Sequence, residues 1–348
     1  MLIILAPDSF KGSMTSRQAA EAMASGIRRV FPKAKCVNFP MADGGEGILE
    51  VLVAATKGKY HYKKVMGPDK KPVRAKYGIT GDGKTAIIEM AQASGLTLLD
   101  KHSRNPLKTT SYGTGELILA AANKGVKKII LGIGGSATND AGAGMAQALG
   151  VNFFNQNGRV FKTPLSGGKL GDVAKIDCSD ISPLISKVTI SIACDVTNFL
   201  CGKQGASHIF GPQKGATPEM CNLLDENLKT FGRLIEQSLG IDVLTLEGGG
   251  AAGGLGAGLV AIAGAELERG IDIVIKASGI EKQIKKADLV ITGEGRIDGQ
   301  TMYGKVAIGI AKLAKHYDVP VIAIGGSLGD DANVVLDYGI DAIESCIT

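Results

Sequence analysis

The sequence predicts an α/β fold with mainly parallel sheets, and three observations carry this. Short, β-branched apolar runs recur along the chain. Each is followed by a glycine or polar turn and then by residues with helical apolar spacing. Most of the runs are continuously apolar rather than alternating, as expected for strands covered on both faces.

Residues 2–5 (LIIL) read as a buried strand, and 16–31 (SRQAAEAMASGIRRVF) as the helix after it. The stretch 60–90 differs. HYKKVMGP, VRAKYGI and TAIIEM alternate apolar and polar residues, with turns at Gly67-Pro68 and Asp82-Gly83. This predicts antiparallel hairpins and a crossing from one domain to another. Residues 128–133 (KIILGI) form a strand leading into GGSATNDAGAG, and 189–194 (TISIAC) a strand ending at Asp195. The Gly-rich stretch 248–258 marks the return to the first domain. Residues 287–292 (ADLVIT) run as a strand into GEGRIDGQT, with a helix over 304–315, and 319–324 (VPVIAI) as a strand into Gly325-Gly326-Ser327. The expected organisation is a discontinuous α/β domain (1–67 and 248–348), an inserted α/β domain (68–247), and an active-site cleft between them.

At 348 residues the chain suits two domains or one large one. Apolar residues make up 45% and charged residues 21%, which excludes global disorder. The formal net charge of +5 is a mild excess, and the Lys-rich patches at 58–76 and 282–286 read as solvated faces. With no Trp and few aromatics, a base-stacking nucleic-acid platform is not expected. The 49 glycines have no collagen-like period, so they point to loops where backbone turns tightly or approaches a ligand. The six cysteines form no C-x-x-C pair and read as free thiols of a reducing compartment. The opening MLIILAPDSFKGS has no basic n-region, and no apolar stretch nears the roughly 18 residues of a membrane span. A cytoplasmic protein with neither nucleic-acid nor membrane partners is expected.

Two familiar patterns are set aside. Residues 78–85 fit G-x-x-x-x-G-K-[ST], but a phosphate loop needs a helix after it, and the β-branched AIIEM follows. Residues 248–253 fit G-x-G-x-x-G only because glycines are dense there, with no clear strand before them. No G-x-S-x-G elbow is read in the chain, so a serine hydrolase of that type is not expected. The four dispersed histidines give no H-E-x-x-H zinc pair.

The stronger signals are five loops at strand ends, where open parallel sheets bind ligands. Residues 6–13 place Asp8, Ser9 and Lys11 after the first strand; Lys11 suits a phosphate or carboxylate, while Thr15 or Ser16 reads as a helix cap. Residues 43–47 set Asp43 and Glu46 among three glycines, with helix capping as the alternative. Residues 134–144 run from a buried strand into a small-residue helix. Their N–H groups, the hydroxyls of Ser136 and Thr138, and the helix N-terminus predict an anion cradle. Tight helix–sheet packing is the alternative there. Asp195 closes an apolar strand, which is costly without a partner or a task; a general base, a metal ligand or a helix cap would each fit. Residues 292–301, with Lys305, offer Glu294, Arg296, Asp298 and Gln300, the oxygen ligands and cations that magnesium–phosphate chemistry uses. The inventory suits phosphoryl transfer to a small polar acceptor. A nicotinamide-dependent dehydrogenase of a hydroxy acid and a non-catalytic sugar-acid binding protein stay open as alternatives.

The loops APDSFKGS, ADGGEG, IIEMAQASGL, TTSYGTGELI, GGSATNDAGAGM, ACDVTN, AAGGLGAG and TGEGRIDGQT, in this order and spacing, resemble the type 1 glycerate kinases of bacteria. The resemblance spans nearly the whole chain. It implies ATP-dependent phosphorylation of D-glycerate, with 2-phosphoglycerate expected over 3-phosphoglycerate. It also implies Mg²⁺, two α/β domains, one discontinuous and one inserted, and a C-terminal helix past the end of this sequence. A homodimer is compatible with it.

On that reading the ATP phosphates lie on Gly134, Gly135, Ser136, Thr138 and Asn139. Lys11 is the first cation for the glycerate carboxylate and Arg296 the second, with Asp8, Ser9, Glu294 and Gln300 around the substrate. Asp195 is the expected base for the attacking hydroxyl. Asp43, Glu294 and Asp298 are its rivals for the base and metal roles. Asp298 and Glu46 are the expected Mg²⁺ ligands.

Overall fold

The computed structural model describes residues 1–45, 47–302 and 305–347. The chain divides into two compact units, Met1–Thr56 with Arg269–Thr348, and Lys57–Glu268. In chain order the strands are β1 (Leu2–Pro7), β2 (Lys35–Asn38), β3 (Lys59–Met66), β4 (Pro72–Ile79), β5 (Thr85–Glu89), β6 (Lys128–Gly132), β7 (Asn152–Asn155), β8 (Val173–Asp177), β9 (Thr189–Ala193), β10 (Glu266–Glu268), β11 (Leu289–Ile297), β12 (Val321–Leu328) and β13 (Ala342–Ser345).

The first unit holds one sheet in the order β13-β12-β11-β1-β2, and every pairing is parallel. From β1 the chain steps to β2 on one side and later returns to β11 on the other, so the strand order reverses between β1 and β11. Such a reversal leaves a crevice beyond the carboxyl ends of the two strands, where doubly wound sheets bind ligands. The helix Ser16–Val30 follows β1. Thr15 caps it, accepting the Gln18 N–H, while the Gln18 side chain accepts the Thr15 N–H at 2.9 Å. Its buried Ala20 and Ala24 pack on Ile3, Leu5 and Ile291; small side chains let the helix lie close to the sheet.

The second unit is built on a mixed sheet, β10-β9-β6-β5-β4-β3. Its first four strands are parallel and the last two antiparallel. The β4–β5 hairpin turns at residues 80–84, where Asp82 Oδ1 accepts the Thr80 hydroxyl at 2.6 Å and the Lys84 N–H at 3.0 Å. The G-x-x-x-x-G-K-T string is therefore a hairpin turn. The core of this sheet gathers Leu117, Ile129, Leu131, Ile192, Leu255 and Leu259. A second cluster, around Phe153 and Phe231, covers the β7–β8 pair.

The unit boundaries fall elsewhere than the expected 67/68 and 247/248. β3 pairs with β4 from Lys59 to Met66 and so belongs to the second unit. The glycine-rich segment does not lead back to the first unit. It runs through a left-handed kink at Ala252, Gly253 and Gly254 into the helical remainder of Ala251–Ala263, which puts Leu255 and Leu259 in the second core, and β10 then adds to β9. No helix among the described residues is long and apolar enough to cross a membrane.

Candidate functional site

In the first unit, three carboxylates come close enough at the ends of β1, β2 and β11 for their charges to act on one another. Asp8 follows β1 directly. Its N–H donates to the Gly293 carbonyl of β11 at 2.8 Å, and its Oδ1 accepts the Ser9 N–H at 2.6 Å. The residue is only 9% exposed. Burial raises its carboxyl to about 7, and the charges of Asp43 and Glu294 add to the rise; the Ser9 N–H and the Lys11 charge oppose it. Asp43 lies in the loop after β2, with Oδ1 accepting the Gly45 N–H at 3.1 Å. Glu294 belongs to β11 itself, paired in register with Gly325 of β12. Its Oε2 lies 3.0 Å from Lys305 Nζ, while its buried Oε1 makes no hydrogen bond among the described residues. Burial raises this carboxyl too, against the charge of Lys305.

Glycines bring the Lys11 loop onto the sheet. A Cβ at Gly295 would stand 3.4 Å from Lys11 N, and one at Gly326 would stand 3.3 Å from the Phe10 ring. The backbone that carries Lys11 thus lies directly over β11, beside Asp8 and Glu294. Further along, Arg296 Nε pairs with Asp298 Oδ2 at 3.1 Å, and Asp298 Oδ1 accepts the Gln300 N–H at 3.0 Å. The structure therefore gathers Asp8, Ser9, Lys11, Asp43 and Glu294, and pairs Arg296, Asp298 and Gln300 with one another. Glu46 lies outside the described residues. Among the described residues no group of three or more His, Cys, Asp or Glu side chains is placed to hold a metal ion.

In the second unit, the loop after β6 turns through Gly135, at φ 68°. The Gly135 carbonyl accepts the Leu96 N–H at 2.8 Å, and the Ala137 N–H donates to the Ser94 carbonyl at 2.9 Å. The N–H groups of Gly135 and Ser136 make no hydrogen bond among the described residues. Successive free donors about a left-handed glycine make a small anion nest. Thr138 and Asn139 are fully buried behind it. The Thr138 carbonyl accepts Lys214 Nζ at 2.7 Å, and Asn139 Nδ2 donates to Ser207 Oγ at 3.0 Å.

Three expectations need correction. The helix N-terminus is not a free part of the anion cradle. The helix starts only at Ala143, and the N–H groups of Gly142 and Gly144 already donate to Asp140 at 3.3 Å, that of Met145 to Ser111 Oγ at 3.0 Å. Asp140 also accepts the Ser111 N–H and hydroxyl, both at 2.8 Å, and so fills the place of an external anion. Asp195 is not buried: β9 ends at Ala193 and Asp195 is exposed, so the desolvation argument for a special role does not apply. Residues 325–329 do spell G-x-S-x-G. Ser327, however, sits inside β12, paired with Arg296 of β11, and not on a strand-to-helix elbow.

Sequence reasoning passed over Lys214. It is 1% exposed, and burial pushes its ammonium down to about 7 against the opposing charge of Asp140. Its setting, GPQKG, looks like any surface turn, and no spacing signal separates it from the other lysines. The glycines of 248–258 also have a role the sequence did not disclose. A Cβ at Gly253 would run into the Thr138 carbonyl, and one at Gly258 into the Ala141 carbonyl. They let this segment lie directly on the loop.

The Glycerate kinase family model matches residues 3–348. The chain belongs to that family. A glycerate kinase of Halalkalibacterium halodurans is 53% identical over 345 residues, covering 99% of this chain and 90% of that one. The glycerate 2-kinase of Escherichia coli (strain K12) is 52% identical over 348 residues, 100% of this chain and 91% of that one. The crystal structure of a candidate glycerate kinase 2 from Salmonella typhimurium LT2 matches with a TM-score of 0.90 at 51% identity, over 99% of this chain and 90% of that one. The activity is that of a glycerate kinase, a phosphotransferase that uses ATP. The dehydrogenase and binding-protein alternatives are thereby removed.

Proposed function

We propose that this glycerate kinase transfers the γ-phosphoryl group of ATP to the 2-hydroxyl of D-glycerate, with Asp8 as the base. The observation that carries the chemistry is the buried Asp8 carboxyl at the end of β1, fixed by the Ser9 N–H and within reach of the charges of Asp43 and Glu294, which with burial hold it near 7. A base with that value is about half ionised at neutral pH and still takes a proton well. The hydroxyl oxygen attacks the γ-phosphorus, the bond from that phosphorus to the ADP oxygen breaks, and the hydroxyl proton passes to Asp8. Lys11 supplies the cation for the glycerate carboxylate. Arg296 is the weaker candidate, because Asp298 already pairs with it. The choice of carbon 2 is supported by the 52% identity to the Escherichia coli glycerate 2-kinase.

The N–H groups of Gly135 and Ser136 are proposed as phosphate contacts for ATP, with the buried Thr138 and Asn139 acting behind them as supports. Mg²⁺ is proposed to enter with ATP. Asp298 is proposed as a ligand for it, its carboxylate already oriented by Arg296 and the Gln300 N–H, and Glu46 lies outside the described residues.

The test is turnover of D-glycerate with ATP and Mg²⁺, with NMR of the product. Phosphate on carbon 2 is expected, and phosphate on carbon 3 would overturn the regiochemistry. Asp8→Asn should lower kcat by about a hundredfold or more, the usual scale for loss of general-base catalysis. Near-normal kcat in that variant would remove Asp8 as the base.

A further inference from the structure

Lys214 sits in a turn shaped to drive it inward. The turn Pro212–Lys214 closes on Gly215, at φ 87°. A Cβ at Gly215 would stand 2.5 Å from the Arg104 carbonyl, so the turn is pressed onto that backbone. The side chain reaches the Thr138 carbonyl at 2.7 Å, and Gly253, in a left-handed kink before the helix that carries Leu255 and Leu259, packs against the same carbonyl. The Thr138 peptide is therefore held by two separate elements. Nearby, Thr138 Oγ1 and Asn139 Oδ1 are buried without hydrogen-bond partners among the described residues. A buried ammonium is costly unless paired, and an apolar side chain would fill the space without that cost. Among the described residues its one hydrogen bond to a backbone carbonyl is to Thr138, three residues from the free N–H group of Gly135, and the charge of Asp140 is its electrostatic partner.

We propose that Lys214 is a positioning residue of the kinase: it fixes the Thr138 peptide and thereby sets the direction in which the Gly135 and Ser136 N–H groups meet the phosphates of ATP. This rests on the reading of those N–H groups as the phosphate contact. The Gly135–Ser136 peptide is held through its carbonyl by the Leu96 N–H, the Ala137 N–H is held by Ser94, and Lys214 holds the Thr138 carbonyl just beyond them, so the loop is anchored at three points along its length.

The experiment measures kcat, KM for ATP and KM for D-glycerate in Lys214→Met and in Gly135→Ala, with unfolding midpoints to show that each is folded. The expected result is a rise of about tenfold or more in KM for ATP in both variants, with KM for glycerate within about twofold of the parent. If only Gly135→Ala raises KM for ATP, Lys214 has no positioning role and the phosphate reading stands. If Gly135→Ala leaves KM for ATP unchanged, the phosphate reading fails, and the role of Lys214 falls with it whatever Lys214→Met does. Equal losses for both substrates in Lys214→Met would mark a structural role only and overturn the proposal. Lys214→Gln keeps an N–H donor without the charge; it replaces Lys214→Met should that variant not fold, and the same split decides.

Discussion

Lys305 Nζ lies 3.0 Å from Glu294 Oε2, and the other oxygen of Glu294 is buried without a hydrogen-bond partner among the described residues. The carboxylate is 7% exposed and sits in a strand of the first sheet, and Lys305 is its principal countercharge. Removing a partner from a buried charge costs more than the pair contributes, because the remaining charge is left unpaired. Lys305 is partly exposed, which tempers the cost. Lys305→Met is expected to lower unfolding stability by about 1–3 kcal/mol, and adding Glu294→Gln to recover part of it. Urea unfolding of the two single variants and the double variant checks this through the coupling energy.

The role of Asp8 predicts a pH profile. The base works when ionised, so kcat/KM should rise with pH through a step near 7. The charge of Asp43 helps to hold that carboxyl up. Asp43→Asn should therefore move the step to lower pH. A step that stays in place would separate Asp43 from the electrostatics of Asp8.

The same shift has a sign for stability. Unfolded, Asp8 titrates near its ordinary value of 3.8; folded, it titrates near 7. Between those values the native state holds a proton that the unfolded chain has lost, so the contribution of Asp8 to stability falls as pH rises through this window. Asp8→Asn removes that loss. Its gain in thermal midpoint over the parent protein should be larger at about pH 8 than at about pH 4, and a gain independent of pH would refute the linkage.

Asp8 and Asp195 make opposite predictions. With Asp8 as the base, Asp195→Asn should keep kcat within about tenfold, while Asp8→Asn loses about a hundredfold or more. Steady-state assays of the two variants side by side decide between a buried base and an exposed one.

Gly253 tests the backbone packing. It sits at φ 68°, and a Cβ there would collide with the Thr138 carbonyl. Gly253→Ala should lower stability by about 1–3 kcal/mol or more through strain and overpacking. Thermal unfolding reads it directly.

Much of this was legible in the residues. Continuous apolar runs such as LIIL and TISIAC announced parallel strands, because burial on both faces leaves no polar alternation. Alternation over 60–90 announced the hairpins. Glycines beside Asp43 and Glu294 marked loops where backbone comes close, and the charges of those two carboxylates do act on Asp8. Lys214 was not legible, since its burial comes from a long-range packing of the GPQKG turn against Arg104 and Thr138. The exposure of Asp195 was missed for a related reason: a residue two places beyond a strand follows its loop, not the strand. The helix N-terminus after 134–142 was misjudged because Asp140, inside the same loop, takes the donors first.

The lysines of β3 gain a meaning from the place of that strand. β3 is the outermost strand of its sheet, and it carries Lys59, Lys63 and Lys64 on exposed positions, with Arg74 of the neighbouring strand over the Tyr62 ring at 4.3 Å. An outer strand offers a row of open peptide groups on which another chain can zip, the first step toward fibrils. Here any second copy arriving along that row would bring like charge against like charge. The patch that reads along the sequence as mere solvated surface is, in the folded unit, a guard against polymerisation.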